Sequence, residues 1–179
     1  MLYHASKQAG LKELVPQIST HGKAYVYAIN SRLTALLFGA PKDDFDILMD
    51  ELDGAPVIYE CYPDALKRVY WGKTCSLYGL HEAGFLPGQT GWEPELVCAH
   101  TVPVVSEEKI ENIYTEVIQA IQAGDCIFHP YSEDSQYQAF LRDELSERIR
   151  HFGLSEEQIK SDPRFEAYFN RLLERSEKR

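Results

Sequence analysis

The sequence predicts an α+β fold, in which strands and helices occupy different parts of the chain. Short segments rich in Tyr, Val and Ile, bounded by Gly and Pro, recur through residues 1–105 and are typical of β-strands. Residues 106–179 instead contain three long segments whose apolar residues repeat at helical spacing. Such segregation favours α+β over an alternating α/β arrangement. We therefore expect a β-rich core over 1–105 and a helical C-terminal extension over 106–179 that packs on it.

Five segments of the N-terminal region are predicted as strands. The clearest is "KAYVYAI", in which Tyr and Val alternate with other residues, and "LYHAS" near the start is a shorter example. "APVIYECYP" stops at Pro63, and "TCSLYGL" consists of small and apolar residues. "ELVCAHTVPVV" contains Pro103, which indicates an edge strand or a bulge.

Two further segments lie between the predicted strands. "NSRLTALLFG" has leucines at helical spacing, a capping residue at Asn30 or Ser31, and a closing Gly39, so it predicts a short helix. "PKDDFDILMDELDG" carries a run of carboxylates, which is usually a solvated feature, so we expect an exposed helix or loop there. The carboxylates do not follow the spacing of a calcium-binding loop, because the required glycine and closing glutamate are misplaced.

Three helices are predicted in the C-terminal region. The first begins at Ser106, has acidic residues in its first turn and ends at Gly124. The third begins with Asp162 as the capping residue and Pro163 at the first helical position. The apolar faces of these helices require burial, either against the β-rich core or in a homodimer, and the sequence leaves both open. The stripe of the second helix consists of Tyr137, Leu141, Leu145 and Ile149.

Charge and cysteine content limit the classes of partner and site. The 179-residue chain has a formal net charge of −10, which argues against broad binding to the phosphate backbone of nucleic acids. No segment reaches the roughly 20 apolar residues of a membrane helix, and the first residues lack the pattern of a secretion signal. We therefore expect a cytoplasmic protein with no membrane partner. Four cysteines are spread out without a CxxC pair, which favours reduced thiols and predicts no metal site.

Three separated stretches carry residues suited to binding a nucleotide. "LYHAS" places His4 beside small residues, "GKAYVYAINSRLTALLF" joins a tyrosine-bearing strand to a helix, and "WEPELVCAHTVPV" has a glutamate at the start of a strand. In this order they resemble the three motifs of the ADP-ribosyltransferase superfamily. The first is similar to the "YHG[ST]" motif of poly(ADP-ribose) polymerases and rifampin ADP-ribosyltransferases. The resemblance covers residues 1–105 and does not extend to the C-terminal helices.

This resemblance implies a split antiparallel β fold that grips NAD in a cleft, and it assigns residues to that cleft. His4 corresponds to the histidine of the first motif. Ala5 stands where that motif has glycine, and its backbone is implied to face the nicotinamide carboxamide. Tyr27 corresponds to the tyrosine of the second motif, and Tyr25 is the alternative, because both point to the same face of one strand.

The resemblance also implies residues on the helix and on the last strand. Thr34 matches the hydroxyl residue of the helix, and Phe38 matches its second aromatic residue. Glu95 matches the catalytic glutamate, and Glu93 is the alternative. NAD is thus the implied substrate, and the acceptor of its ADP-ribose is not identified by the sequence.

These residue types suit cleavage of the bond between nicotinamide and ribose. That reaction passes through a transition state with positive charge on the ribose, which a nearby carboxylate stabilises. An aromatic side chain stacks on the flat nicotinamide ring, and a histidine hydrogen-bonds to the other ribose and fixes the orientation of the dinucleotide. An NAD-binding ADP-ribosyltransferase-like protein is therefore the leading functional hypothesis.

Two other functions stay open at this point. The first is a catalytically degenerate relative that acts as a binding or interaction module, because Ala5 leaves less room for a ligand than glycine does. The second is RNA 2′-phosphotransferase-like chemistry, which uses a related fold and requires basic residues that hold a phosphate. The candidates for that role are Arg32, Lys67, Arg68 and Lys73.

Overall fold

The computed structural model describes residues 1–18, 22–42, 44–52 and 54–161. Its strands are β1 (Leu2–Ser6), β2 (Glu13–Leu14), β3 (Gln17–Ile18), β4 (Ala24–Ile29), β5 (Ile47–Leu52), β6 (Ala55–Glu60), β7 (Cys75–Leu80), β8 (Leu86–Pro87), β9 (Glu95–Cys98), β10 (Val102–Ile110) and β11 (Ile127–His129). Its helices are α1 (Arg32–Leu36), α2 (Ala65–Tyr70), α3 (Ile113–Ala123), α4 (Ser135–Phe152) and α5 (Glu156–Ser161).

The strands form one large antiparallel sheet and one small mixed sheet. The large sheet has the order β2-β10-β7-β1-β4-β9-β8, and β3 pairs with β4 outside this path. The small sheet has the order β11-β6-β5, in which β5 is antiparallel and β11 is parallel to β6. A mostly antiparallel sheet accompanied by a few helices confirms the predicted α+β class. The segment "ELVCAHTVPVV" supplies two strands, β9 and the start of β10, instead of one.

Strands β1 and β4 are neighbours in the large sheet, yet they separate along most of their length. β1 pairs with β7 over the whole of Leu2–Ser6, whereas Tyr3 opposite Ile29 is the one register pair between β1 and β4, both of which are fully described. The other edge of β4 pairs with β9 from Val26 onward. The opening between β1 and β4 leaves their facing edges accessible, and a cavity lies there.

Helices α3 and α4 pack on the same apolar core as helix α1 and the strands. Ile113 and Val117 of α3 are fully buried, and so are Leu141 and Leu145 of α4. All four share one cluster with Leu36 of α1. The predicted apolar stripe of α4 therefore packs on the core of the same chain.

The prediction of an exposed helix or loop for "PKDDFDILMDELDG" is wrong in its second half. β5 occupies Ile47–Leu52 and pairs with β6 along its whole length, and Ile47 and Leu48 are buried. Asp50 and Glu51 lie at the exposed end of this strand. The charged residues on both sides made the short apolar segment hard to recognise in the sequence. Its β structure depends on a partner strand rather than on local composition.

The predicted start of the first C-terminal helix is also wrong. The segment from Ser106 to Ile110 continues β10, which pairs with β7 beyond a β-bulge, and α3 begins only after Asn112. Glu107 does not support a helix N-terminus, because its carboxylate accepts a hydrogen bond of 2.7 Å from the Ser76 hydroxyl. The domain boundary predicted at the end of the β-rich core therefore falls inside a strand.

Helix α1 is short and is fixed at both ends by hydrogen bonds. Ser31 is its capping residue, since Ser31 Oγ accepts from the Thr34 backbone N–H at 3.2 Å. At the other end, the hydroxyl of fully buried Tyr70 donates to the carbonyl of Leu37 at 2.7 Å. Together these contacts set the direction in which the chain leaves the helix at Phe38.

Two remaining predictions concern the helices. Within the described ranges, none of the helices has both the length and the apolar character that a membrane span requires. The helix predicted from Asp162 onward lies outside the described residues.

Candidate functional site

A cavity of about 860 Å³ lies at the opening between β1 and β4. Its walls come from these two strands, the segment after α1, strand β5, the start of β9 and the last turns of α4. Small-molecule sites in proteins typically measure about 300–1,000 Å³. The cavity is therefore large enough to hold a nucleotide.

Five of the residues implied by the motif resemblance line this one cavity. His4 and Ala5 come from β1, Tyr27 from β4 and Glu95 from β9, and we call these four residues the strand wall. Phe38 reaches the same cavity from the turn that follows α1. The fold thus brings together residues that are far apart in the sequence.

His4 bridges the opening between the two strands. Its Nδ1 lies 2.8 Å from the carbonyl oxygen of Tyr27. Because a carbonyl can only accept, Nδ1 carries the proton and donates, which leaves Nε2 of the neutral ring as an acceptor. Burial lowers the pKa of His4 below its ordinary value of 6.5, and the hydrogen bond to Tyr27 opposes this shift only in part. His4 is therefore neutral at pH 7.

Glu95 is the first residue of β9 and lies opposite Ile29 of β4. Its backbone N–H donates to the Trp92 carbonyl at 3.1 Å, so a tight turn leads into the strand and brings both Glu95 and Trp92 to the cavity. The alternative residue, Glu93, is exposed within this turn and lines a neighbouring cavity that contains Asp50. The geometry favours Glu95 over Glu93 as the carboxylate of this site.

Several aromatic rings line the cavity, and two of them contact each other. The centroids of Phe38 and Trp92 are 5.7 Å apart, and the Lys42 ammonium lies 4.9 Å from the centre of the Phe38 ring. Tyr27 contacts Tyr25 edge-on, with centroids 6.1 Å apart. Of these two tyrosines, Tyr27 lines the cavity and Tyr25 does not, so the geometry favours Tyr27.

Thr34 is the one residue of the implied set that the structure does not bring to the cavity. Its side chain is buried, and its hydroxyl donates to Ser31 Oγ at 2.9 Å. The hydroxyl therefore belongs to the cap of α1, and we leave Thr34 out of the candidate site.

The basic residues named for a phosphate site also lie elsewhere. The Arg32 guanidinium pairs with Glu108 and Glu116, at 2.5 Å and 3.0 Å between Nη2 and the carboxylate oxygens. None of the other three lines the cavity, and they are Lys67, Arg68 and Lys73. Their positions give no support to RNA 2′-phosphotransferase-like chemistry.

The cavity has a second set of residues, which sequence reasoning missed. Lys42 and Asp44 follow α1, and Arg148 and His151 lie on α4, and we call these four residues the basic wall. Residues three apart share one face of a helix, so the spacing of Arg148 and His151 was a signal in the sequence. No local pattern, however, connects α4 with the segment after α1.

The remaining reactive groups give no alternative site. In the described parts of the chain, no group of three or more His, Cys, Asp or Glu side chains is placed to hold a metal ion. All four cysteines are buried, and burial raises the pKa of the Cys75 and Cys126 thiols to about 11. Such thiols stay protonated at neutral pH and are poor nucleophiles.

Comparisons with known proteins do not assign the chain to a family. No protein-family model, curated protein or solved structure matched it. The function has therefore to be inferred from the residues that the cavity brings together.

Proposed function

We propose that this protein is an ADP-ribosyltransferase-like enzyme, which binds NAD and transfers its ADP-ribose to an acceptor. The supporting observation is the meeting of His4, Ala5, Tyr27, Phe38 and Glu95 in one cavity of nucleotide size. Each of these residues is one that the motif resemblance assigns to the NAD cleft. A chance resemblance of three short stretches gives no reason for these side chains to converge.

The strand wall, together with Phe38, supplies the groups that orient the dinucleotide. The Nε2 atom of neutral His4 accepts a hydrogen bond from a ribose hydroxyl, while the Nδ1 hydrogen bond to Tyr27 holds the ring in place. The rings of Tyr27 and Phe38 provide flat apolar surface for the nicotinamide. The backbone at Ala5 faces the carboxamide of the same ring. Orientation of this kind lowers the barrier by fixing the reacting bond near the catalytic group.

Glu95 acts on the bond that breaks. The bond between C1′ of the ribose and the nicotinamide nitrogen breaks, and nicotinamide leaves with the bonding electron pair. Positive charge develops on the ribose, and the Glu95 carboxylate stabilises it while accepting a hydrogen bond from a ribose hydroxyl. The acceptor's nucleophile then forms a bond to C1′ and loses its proton.

A second candidate function is a binding module that has kept the cavity and lost turnover. The observation that favours it is the presence of Ala5 in the cavity lining, where the related motif has glycine. A methyl group at this point narrows the space beside the strand and opposes the close approach of a planar ligand.

Release of nicotinamide from NAD, followed by chromatography, tests the proposed enzyme. We expect the wild type to release nicotinamide and Glu95→Gln to lower kcat about 10²- to 10³-fold, because the variant loses the charge that stabilises the transition state. Glu93→Gln is the matched control, since Glu93 lies two residues away and faces the neighbouring cavity. We expect it to retain activity close to that of the wild type.

The same experiment separates the two candidates. Binding of NAD by the wild type without release of nicotinamide favours the binding module. Absence of both binding and release at millimolar NAD contradicts both candidates. An equal loss of activity in Glu95→Gln and Glu93→Gln contradicts the role of Glu95.

A further inference from the structure

The basic wall lies in the part of the cavity that the motif resemblance does not cover. Arg148 and His151 belong to the last turns of α4, whereas Lys42 and Asp44 follow α1. The Arg148 guanidinium joins these two segments, because its Nη1 donates to the backbone carbonyl of Asp44 at 2.9 Å. Helix α4 therefore completes the cavity in addition to covering the core.

Among the described residues, Arg148 uses only part of its hydrogen-bonding capacity. A guanidinium carries five N–H donors, and the Asp44 carbonyl occupies one of them. The Asp44 carboxylate lies 3.8 Å from Arg148 Nη1, which is beyond hydrogen-bonding distance. The side chain of Arg148 is 27% exposed, so an anion that enters the cavity reaches its remaining donors.

Lys42 adds a second positive charge in a sheltered position. Its side chain is 6% exposed, and its ammonium lies 4.0 Å from Asp44 Oδ1. Lys42 and Arg148 place two cations beside Asp44 in this wall, whereas Glu95 lies in the strand wall of the same cavity. Two cations in one part of a concave surface attract an anionic group to that part, even in a chain whose formal net charge is −10.

We propose that the basic wall is a subsite for the diphosphate of a nucleotide, with Arg148 as its principal contact. A guanidinium binds two phosphate oxygens at once, and such charge-assisted hydrogen bonds are about twice as strong as neutral ones. The ring of Trp92 lines the same cavity and offers stacking surface for a base, so a nucleoside diphosphate fits better than an inorganic diphosphate. The assignment rests on the proposed function in one respect, since NAD is the nucleotide whose diphosphate is expected there.

Calorimetric titration with ADP, adenosine and inorganic pyrophosphate tests this subsite. We expect wild-type protein to bind ADP more tightly than either of the other two ligands. Arg148→Gln weakens ADP binding about tenfold, and it changes adenosine binding less than about twofold. Arg150→Gln is the matched control, because Arg150 is an exposed residue of the same helix that does not line the cavity, and it leaves both affinities unchanged.

Three results would overturn the assignment. The first is failure of the wild type to bind ADP. The second is an equal loss of ADP and adenosine affinity in Arg148→Gln, which is the behaviour of a purely structural contact. The third is pyrophosphate binding as tight as ADP binding, which assigns the wall to an inorganic diphosphate.

The test has a fallback variant, and it does not depend on enzyme activity. If Arg148→Gln does not fold, because Arg148 holds α4 to Asp44, then Lys42→Gln is titrated in its place with the same expected outcomes. None of the titrations requires cleavage of NAD. A protein that binds ADP through Arg148 and releases no nicotinamide therefore contradicts the proposed enzyme and leaves the subsite standing.

Discussion

The two walls of the cavity differ in how the fold builds them. The strand wall consists of residues on β1, β4 and β9, which are consecutive strands of one sheet, and its polar side chains include a neutral imidazole and a carboxylate. The basic wall joins the end of α4 to the segment after α1 through one hydrogen bond, from Arg148 to Asp44. The Phe38–Trp92 ring pair connects the walls, since Trp92 lies in the turn before Glu95.

This difference separates two tasks of a binding site. Hydrogen-bonded strands hold side chains rigidly, which suits residues that must act on one bond of a ligand. A helix that packs on the core from a distant part of the chain adds charge without disturbing those strands. We infer that the sheet fixes the chemistry of the cavity and that α4 adjusts which ligand it accepts.

Removal of the His4 side chain from the strand wall is expected to lower activity, by less than Glu95→Gln does. His4→Ala loses the hydrogen bond to the Tyr27 carbonyl and, under the proposed function, also the acceptor for the ribose. We expect kcat/KM for nicotinamide release to fall about 10- to 100-fold. His81→Ala is the control, because His81 is exposed beyond the end of β7. Comparable losses in both variants contradict a specific role for His4.

Tyr70→Phe tests the hydrogen bond that holds the end of α1, from which the chain continues to the basic wall. We expect this variant to be less stable than the wild type. The Tyr70 hydroxyl is buried and bonded to the Leu37 carbonyl, so its loss leaves a buried acceptor without this donor. We expect the free energy of unfolding in urea to fall by about 1–3 kcal/mol. Tyr114→Phe, at a partly buried tyrosine whose ring contacts Trp71, should change it by less than about 0.5 kcal/mol. An unchanged stability in Tyr70→Phe rules out this role of the hydrogen bond.

The protonation of His4 gives a smaller effect, whose direction is set by burial. The folded-state pKa of His4 is below 6.5, so the unfolded chain takes up a proton first as pH falls. His4 therefore makes the folded state less stable as pH drops below 6.5, and it contributes no pH dependence well above that value. Between pH 7.5 and pH 5.5, the free energy of unfolding in urea should fall more for the wild type than for His4→Asn. Equal losses contradict the burial of a neutral His4.

The smallest expected effect is that of Trp92→Phe, which keeps an aromatic ring between the walls. Its effect is measured by tryptophan fluorescence. The chain has two tryptophans, and Trp71 is exposed, whereas Trp92 lines the cavity. We expect NAD to change the tryptophan fluorescence of the wild type and of Trp71→Phe, and not that of Trp92→Phe. A ligand-dependent change that disappears only in Trp71→Phe places the nucleotide outside the cavity.

The strand wall could be predicted from the sequence because its residues lie in recognisable segments of a single sheet. "LYHAS" and "KAYVYAI" read as strands, and their order with Glu95 matched a known set of motifs. Thr34 lies outside the cavity lining, and its sequence position gives no sign of this, because a hydroxyl three residues after Ser31 suits helix capping as well as ligand binding. Local sequence does not distinguish these uses.

The basic wall could not be predicted because the contact that creates it is not local. Arg148 and Asp44 are 104 positions apart, and each lies in a segment that reads as ordinary charged surface. The helix predicted from Ser106 is wrong for a related reason, since the Glu107 carboxylate accepts hydrogen bonds from Ser76 of β7 and from Gly10 in a loop. In both cases tertiary contacts decide what a charged residue does.

A crystal structure of Glu95→Gln with NAD tests the central claim most directly, because the variant keeps the cavity and slows cleavage. We expect the ribose of the nicotinamide within about 3.5 Å of the side chain at position 95 and the diphosphate at Arg148. His4 Nε2 should contact the other ribose. NAD bound with its nicotinamide ribose away from position 95, or bound outside this cavity, would contradict the account.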